Sequence, residues 1–493
     1  MPAFAAAALV FLSSGAVLVL EILAARLLAP YVGDTLETYT AIIGVILAGI
    51  AIGSWWGGRL SDRFDARHLI GPFLVVGGAL AFLAIPIIDV FGSGMRGASA
   101  TTTTILTALA FFAPAMVLSG VTPAVIKIQL SSIDETGSVV GRLSGLSTAG
   151  AIVGTFVTGF ILVANIPSRP TVRVVAVLLI LLGVASAVYL RGTSRLTTGT
   201  AVFVLVAGGG SFLASHPCEH ESAYYCAFVV EDEERPSGRA LWLDTLRHSY
   251  VDLEDPTYLE FAYTQLFGDA FTAIGPPGEA VDTLHIGGGG FTMPGYLRAT
   301  RPGSDHVVLE VDPLLVEISQ QELGLELGDD LEVLTGDART SIRGVTEDRF
   351  DAVVMDAFGG VSVPWHLATR EFLGEVEATM TDDGLHMANV IDYGPRDFLR
   401  AYVATTQDTF AHVAVVGPAE RFGPRDVEGG GNVVVLASQA PLPLDELLDA
   451  NAARGDDDVA LVGEDLDAWV GDAPVLTDDF APVDQLLTPL PTA

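Results

Sequence analysis

Three carboxylates and a run of glycines close short apolar segments in the second half of this 493-residue chain. Ile286 is followed by Gly287-Gly288-Gly289-Gly290, and Glu310 stands twenty-three residues after Gly287. Gly336-Asp337 follows Leu331–Thr335, and Asp356 ends Val353-Val354-Met355. Glycines at a strand end let a ligand approach the backbone and aim N–H donors at it where a helix starts. An acid placed as Glu310 is can accept both hydroxyls of a ribose. Asp337 can accept from an adenine amino group, and Asp356 faces the mouth of a cleft. Singly, each acid reads as a helix cap or a solvated end, and Asp312 reads as a cap. Together, Gly287, Gly288, Gly289, Glu310, Gly336, Asp337 and Asp356 define an adenosine-type site.

Such a site needs strands that end in register. From 276 to 440, strands at 281–286, 306–311, 331–335, 351–356, 384–390, 411–416 and 432–437 alternate with helices near 292–299, 313–323, 368–380 and 395–409. That alternation predicts a parallel, doubly wound sheet, which binds ligands beyond the carboxyl ends of its strands. Residues 216–275 read as a small β subdomain, with strands Tyr224–Val230 and Ala240–Asp244, leading into a helix over Tyr258–Phe271. Residues 441–493 read as an acidic carboxyl-terminal extension with a short helix at 442–450.

The first 215 residues are of another kind. Apolar runs near 5–30, 38–58, 70–90, 103–126, 144–165, 173–190 and 198–215 predict about seven membrane-spanning helices. Alternate loops carry seven basic residues against three, which puts the amino terminus inside and, with seven spans, the soluble part outside. A cytoplasmic cofactor argues for the other face, so the side stays open. Gly49, Gly53 and Gly57 predict close helix packing. Glu21 is an intramembrane carboxylate, read either as a cation site or as the partner of Arg26. Gly58-Arg59-Leu60-Ser61-Asp62-Arg63 resembles a short loop of major-facilitator transporters.

Charge divides the chain at the same place. Eight acidic and eleven basic residues precede residue 216, while 52 acidic and 14 basic residues follow, a net of −38. That repels nucleic-acid phosphates and suits cationic ligands, and acids spread this evenly, with Lys127 the one lysine, fit a high-salt environment. Cys218 and Cys226 can form a disulfide or remain two thiols, and no metal-ligand spacing is present.

The residues from about 220 to 440 resemble the spermidine synthase family of aminopropyltransferases, in particular its membrane-fused members. The likeness rests on Ser222-Ala223-Tyr224-Tyr225, Asp252–Tyr263, Gly287–Gly290, Glu310-Val311-Asp312, Gly336-Asp337, and Asp356 followed by Thr369-Arg370-Glu371-Phe372. It implies a small amino-terminal β domain and a Rossmann-like, class I methyltransferase-like domain. It also implies transfer of an aminopropyl group from decarboxylated S-adenosylmethionine to a small-molecule amine. In that scheme Glu310 holds the ribose, Asp337 the adenine, and Asp356 deprotonates the attacking amine, while Tyr263 and Tyr225 line the amine pocket. Four family positions differ: Gly290 replaces the loop aspartate, Thr264 a glutamine or histidine, Gly359 a second aspartate, and Tyr225 a glutamine. These departures leave two other readings: a methyltransferase using intact S-adenosylmethionine, and a transporter or sensor with a non-catalytic adenosine- or polyamine-binding domain. The expected partners are an amine and the lipid bilayer of a cell membrane, with no nucleic acid and no metal. A homo-oligomer is compatible with the sequence.

Overall fold

A computed structural model describes residues 1–33, 36–94, 100–190, 198–215, 217–346, 349–423 and 429–488. It divides into two compact units, the first running through Phe228 and the second holding nearly all the remainder.

Among the described residues of the first unit, six helices are long and apolar enough to cross a membrane: Ala3–Val32, Leu36–Arg63, Ala66–Gly92, Ala100–Gln129, Ile133–Asn165 and Ser168–Tyr189. The seventh expected span is the shorter helix Thr198–Leu213. Its 16 residues reach about 24 Å at 1.5 Å each, less than a bilayer's hydrocarbon core of about 30 Å. The glycine stripe does pack helices: a Cβ at Gly53 would lie 2.0 Å from the Met116 carbonyl oxygen, and one at Gly57 2.5 Å from the Gly120 Cα. Arg26 is not the partner of Glu21. Its guanidinium donates to the carbonyl oxygens of Tyr224 and Ser222, and Glu21 Oε2 has no partner among the described residues. Cys218 and Cys226 form a disulfide, their Cα atoms 5.2 Å apart.

Strands β1 (His220–Glu221), β2 (Cys226–Glu231), β3 (Gly238–Leu243) and β4 (Leu246–Asp252) form a small sheet in that order. The helix expected over Tyr258–Phe271 starts later, at Ala262, and runs to Ala273. Asp252 and Asp255 explain the delay. Their carboxylates accept from the backbone N–H groups of Glu254, Asp255 and Thr257, holding turns that compete with helix.

The second unit is built on eight strands: β5 (Thr283–Ile286), β6 (His306–Glu310), β7 (Leu331–Thr335), β8 (Phe350–Met355), β9 (Met380–Tyr393), β10 (His412–Gly417), β11 (Gly430–Ser438) and β12 (Val459–Val462). Their order is β12-β10-β11-β9-β8-β5-β6-β7. Strands β5 to β9 pair in parallel, as the alternation of strands and helices predicts. The rest departs from the expected all-parallel sheet: β11 inserts between β9 and β10, antiparallel to both, and β12 is antiparallel to β10. Among the described residues of the connection from β10 to β11 there is a short turn at Ala419–Phe422, and β11 returns antiparallel to β10. The residues after 441 are likewise more than an appended tail. They supply β12 and put Leu466, Val470, Leu476 and Val483 into the core.

Alternation along the strands divides the core in two. Leu284, Ile286, Val353 and Met355 face one apolar layer, and Ala352, Val354, Met387 and Val434 face the other. The second layer is closed by the helix Ala262–Ala273, and it is on this side that the polar side chains of the site stand.

Candidate functional site

Four strand ends lie side by side at one edge of the sheet. Ile286 is registered with Leu309 on one flank and Met355 on the other, and Glu310 pairs with Thr335. Backbone bonds continue past the strands: Gly287 N–H donates to Leu309 O at 2.9 Å, Asp356 N–H to Ile286 O at 2.9 Å, and Gly336 N–H to Glu310 O at 2.8 Å. The chain leaves β5 toward β6 and β7 on one side and then crosses back to β8 on the other, the reversal point where such sheets bind ligands. The strand ends carrying Gly287, Glu310, Gly336-Asp337 and Asp356 thus lie along one edge of the sheet.

The glycine loop is held by Glu310. Its Oε2 accepts from Gly288 N–H at 2.8 Å and Gly289 N–H at 3.2 Å, and its Oε1 accepts from Asp312 N–H at 2.9 Å. The carboxylate is 4% exposed, and burial pushes its pKa up against the pull of those three donors. Gly287, at φ 97°, cannot be replaced cheaply: a Cβ there would lie 2.4 Å from the Asp356 carbonyl oxygen. Gly287→Ala is expected to destabilise the unit by about 2–3 kcal/mol, a loss that a thermal melt measures.

Asp356 is the buried centre. Tyr263 Oη donates to its Oδ2 at 3.0 Å and Asn389 Nδ2 to its Oδ1 at 2.9 Å, while Asn432 Nδ2 donates to Asn389 Oδ1 at 3.0 Å. Burial raises the Asp356 pKa, and the two donors oppose that rise. Burial likewise raises Tyr263 well above the usual phenol range, so the phenol stays protonated and keeps donating.

A cavity of about 350 Å³ opens over this edge. Gly287, Gly288, Gly289, Tyr263 and Asp356 line it, with Asn389, Asn432, His285, Arg421 and Asp458 among the others. Glu310 meets it through the glycine loop and not directly. Asp337 stands one strand further out, where its Oδ1 accepts from Arg339 N–H at 2.8 Å and its Oδ2 lies 3.0 Å from His366 Nε2. Asp312 is the helix cap it was read as, accepting from Leu314 N–H at 3.0 Å. Tyr225 belongs to the first unit, in a turn where its N–H donates to Ser222 Oγ. Sequence reasoning missed Asn389, Asn432 and His285. Their signal was a polar residue inside an otherwise apolar strand, with Asn389 only 3% exposed.

A mixed sheet with a glycine loop after its central strand and acids on the neighbouring strand ends defines a Rossmann-like, class I methyltransferase-like domain. No protein-family model matches the chain. The polyamine aminopropyltransferase of Vibrio vulnificus is 29% identical over 250 residues, 48% of this chain and 79% of its own. Polyamine aminopropyltransferase 2 of Streptomyces coelicolor is 25% identical over 451 residues, 85% of this chain and 79% of its own, so that match extends into the apolar half. The crystal structure of a probable spermidine synthase from Corynebacterium glutamicum aligns with a TM-score of 0.47 at 21% identity, covering 54% of this chain and 96% of that one. The chain is thus similar to polyamine aminopropyltransferases, the class of protein that its residues resemble.

Proposed function

We propose that this protein moves an aminopropyl group from decarboxylated S-adenosylmethionine to an amine, with its enzyme domain carried on a bundle of membrane helices. One observation supports this above the rest. A buried carboxylate, Asp356, stands beside a glycine loop at the reversal point of the sheet, with a phenol and an amide fixing its orientation. An amine is protonated near neutrality and must lose a proton before it attacks. A carboxylate whose pKa is raised by burial is a stronger base than a solvated one, and it meets that need. The sulfonium nucleoside belongs over β5, β6 and β7, near Gly287–Gly289 and Glu310, with Asp337 at the adenine end. The amine nitrogen attacks the aminopropyl carbon bonded to sulfur. The C–S bond breaks, methylthioadenosine leaves, and the amine proton passes to Asp356. Outward-facing Leu47, Trp55, Phe160, Leu178 and Leu205 give the helices of the first unit the apolar exterior that lipid requires.

The purified full-length protein with decarboxylated cofactor and a panel of amines, read by mass spectrometry, tests the reading. Aminopropylated amine and methylthioadenosine are expected in equal amounts, and methylated product with S-adenosylmethionine would replace it.

The pH profile follows from the hydrogen bonds of Asp356. The base must be ionised, so activity falls as pH drops through its raised pKa. Asn389 pulls that pKa down by donating to the carboxylate. Asn389→Leu should therefore move the acidic limb of the rate profile to higher pH, a shift that rate measurements across the acid range would show.

A further inference from the structure

The cavity holds a positive charge that a diamine pocket should not contain. Among its charged lining residues, Asp356 is satisfied by Tyr263 and Asn389, Asp458 Oδ2 accepts from Asn451 at 2.9 Å, and Arg247 lies 3.3 Å from Glu260. Arg421 differs. It has no acidic partner among the described residues, and its buried Nε has no hydrogen-bond partner among them. The turn Ala419–Phe422 after β10 presents it, with its own N–H bonded to Pro418 O at 2.8 Å. Glycine makes room for the guanidinium: a Cβ at Gly431 would lie 2.7 Å from Arg421 Cζ. A half-buried guanidinium with unfilled donors is matched by a carboxylate, which it can grip with two hydrogen bonds.

Position separates this charge from the nucleoside. In the sheet order β7-β6-β5-β8-β9-β11-β10, the glycine loop and Glu310 stand on one side of Asp356, and Arg421 stands on the other, at the ends of β10 and β11. The polar chain Asp356–Asn389–Asn432 leads across β8, β9 and β11 to the strand whose Gly431 the guanidinium covers. Two strand spacings put β11 on the order of 10 Å from β8.

We propose that the acceptor is an amino-acid-like zwitterion, its reacting amine at Asp356 and its carboxylate on Arg421. This rests on the aminopropyl-transfer reading and deepens it. The bond changes are those given above, with the acceptor's side-chain amine as nucleophile and its carboxylate unchanged.

Ornithine is putrescine with a carboxylate on one end carbon, so the pair isolates the charge. Calorimetry on the full-length protein saturated with methylthioadenosine should show ornithine binding roughly 10- to 100-fold more tightly than putrescine. Arg421→Gln should erase that preference, and Arg421→Lys should keep part of it, with thermal melts confirming that both variants fold. Equal binding of the two amines to the unaltered protein, or a preference unchanged in Arg421→Gln, overturns the proposal. So does a loss in Arg421→Gln that falls on S-adenosylhomocysteine instead of ornithine, because the guanidinium would then serve the nucleoside's own carboxylate. Arg421-dependent ornithine binding without transfer would sustain this inference and count against the transferase reading.

Discussion

Asp356→Asn is expected to lower aminopropyl transfer by about 10²- to 10⁴-fold while leaving methylthioadenosine binding nearly unchanged. The substitution keeps the shape of the side chain, and its amide oxygen can still accept a hydrogen bond, so the fold around Tyr263 and Asn389 should persist. What it removes is the basic oxygen that takes the amine proton. Product formation by mass spectrometry under saturating substrates measures the loss, and calorimetry with methylthioadenosine shows whether binding is spared. Unchanged turnover would remove Asp356 from the mechanism. A parallel loss of nucleoside binding would instead mean that the Asp356 side chain shapes the cavity it lines together with Gly287–Gly289.

Glu310→Ala should act on the other half of the site. The substitution leaves the N–H groups of Gly288, Gly289 and Asp312 without their acceptor. Each unmade buried hydrogen bond costs about 1–3 kcal/mol, and some water entry relieves the total, so a net destabilisation of about 3–5 kcal/mol is expected. The released loop should also bind methylthioadenosine at least about 100-fold more weakly. Chemical denaturation gives the first quantity and calorimetry the second. Beside the ribose role proposed for it, Glu310 is the acceptor that shapes the glycine loop.

These two residues also show how far the sequence could be read. Gly287, Glu310 and Asp356 were legible because each closes a run of apolar residues, and strands ending in register must bring such residues to one edge. Asn389 and Asn432 were not, because a single polar residue in a strand looks the same whether it faces a neighbour or solvent. Asp337 was legible as a strand end, yet its carboxylate caps the short helix Ala338–Ser341 through Arg339 N–H and lies 3.0 Å from His366 Nε2, a partner no spacing announces. The all-parallel sheet was an over-extension for a related reason. Apolar runs mark strands but carry no sign of direction, and β11 runs antiparallel to both β9 and β10.

Composition and periodicity by themselves determined the two-part chain, an apolar helical half and an acidic half of alternating strands and helices. They sufficed because burial against lipid or core is a property of each segment, repeated along its length. The reach of Arg421 into the cavity, the hydrogen bonds that fix Asp356, the reversal of β11 and the entry of the acidic tail into the sheet were decided only in three dimensions. Each depends on residues far apart in the chain, and no local pattern encodes which of them will meet.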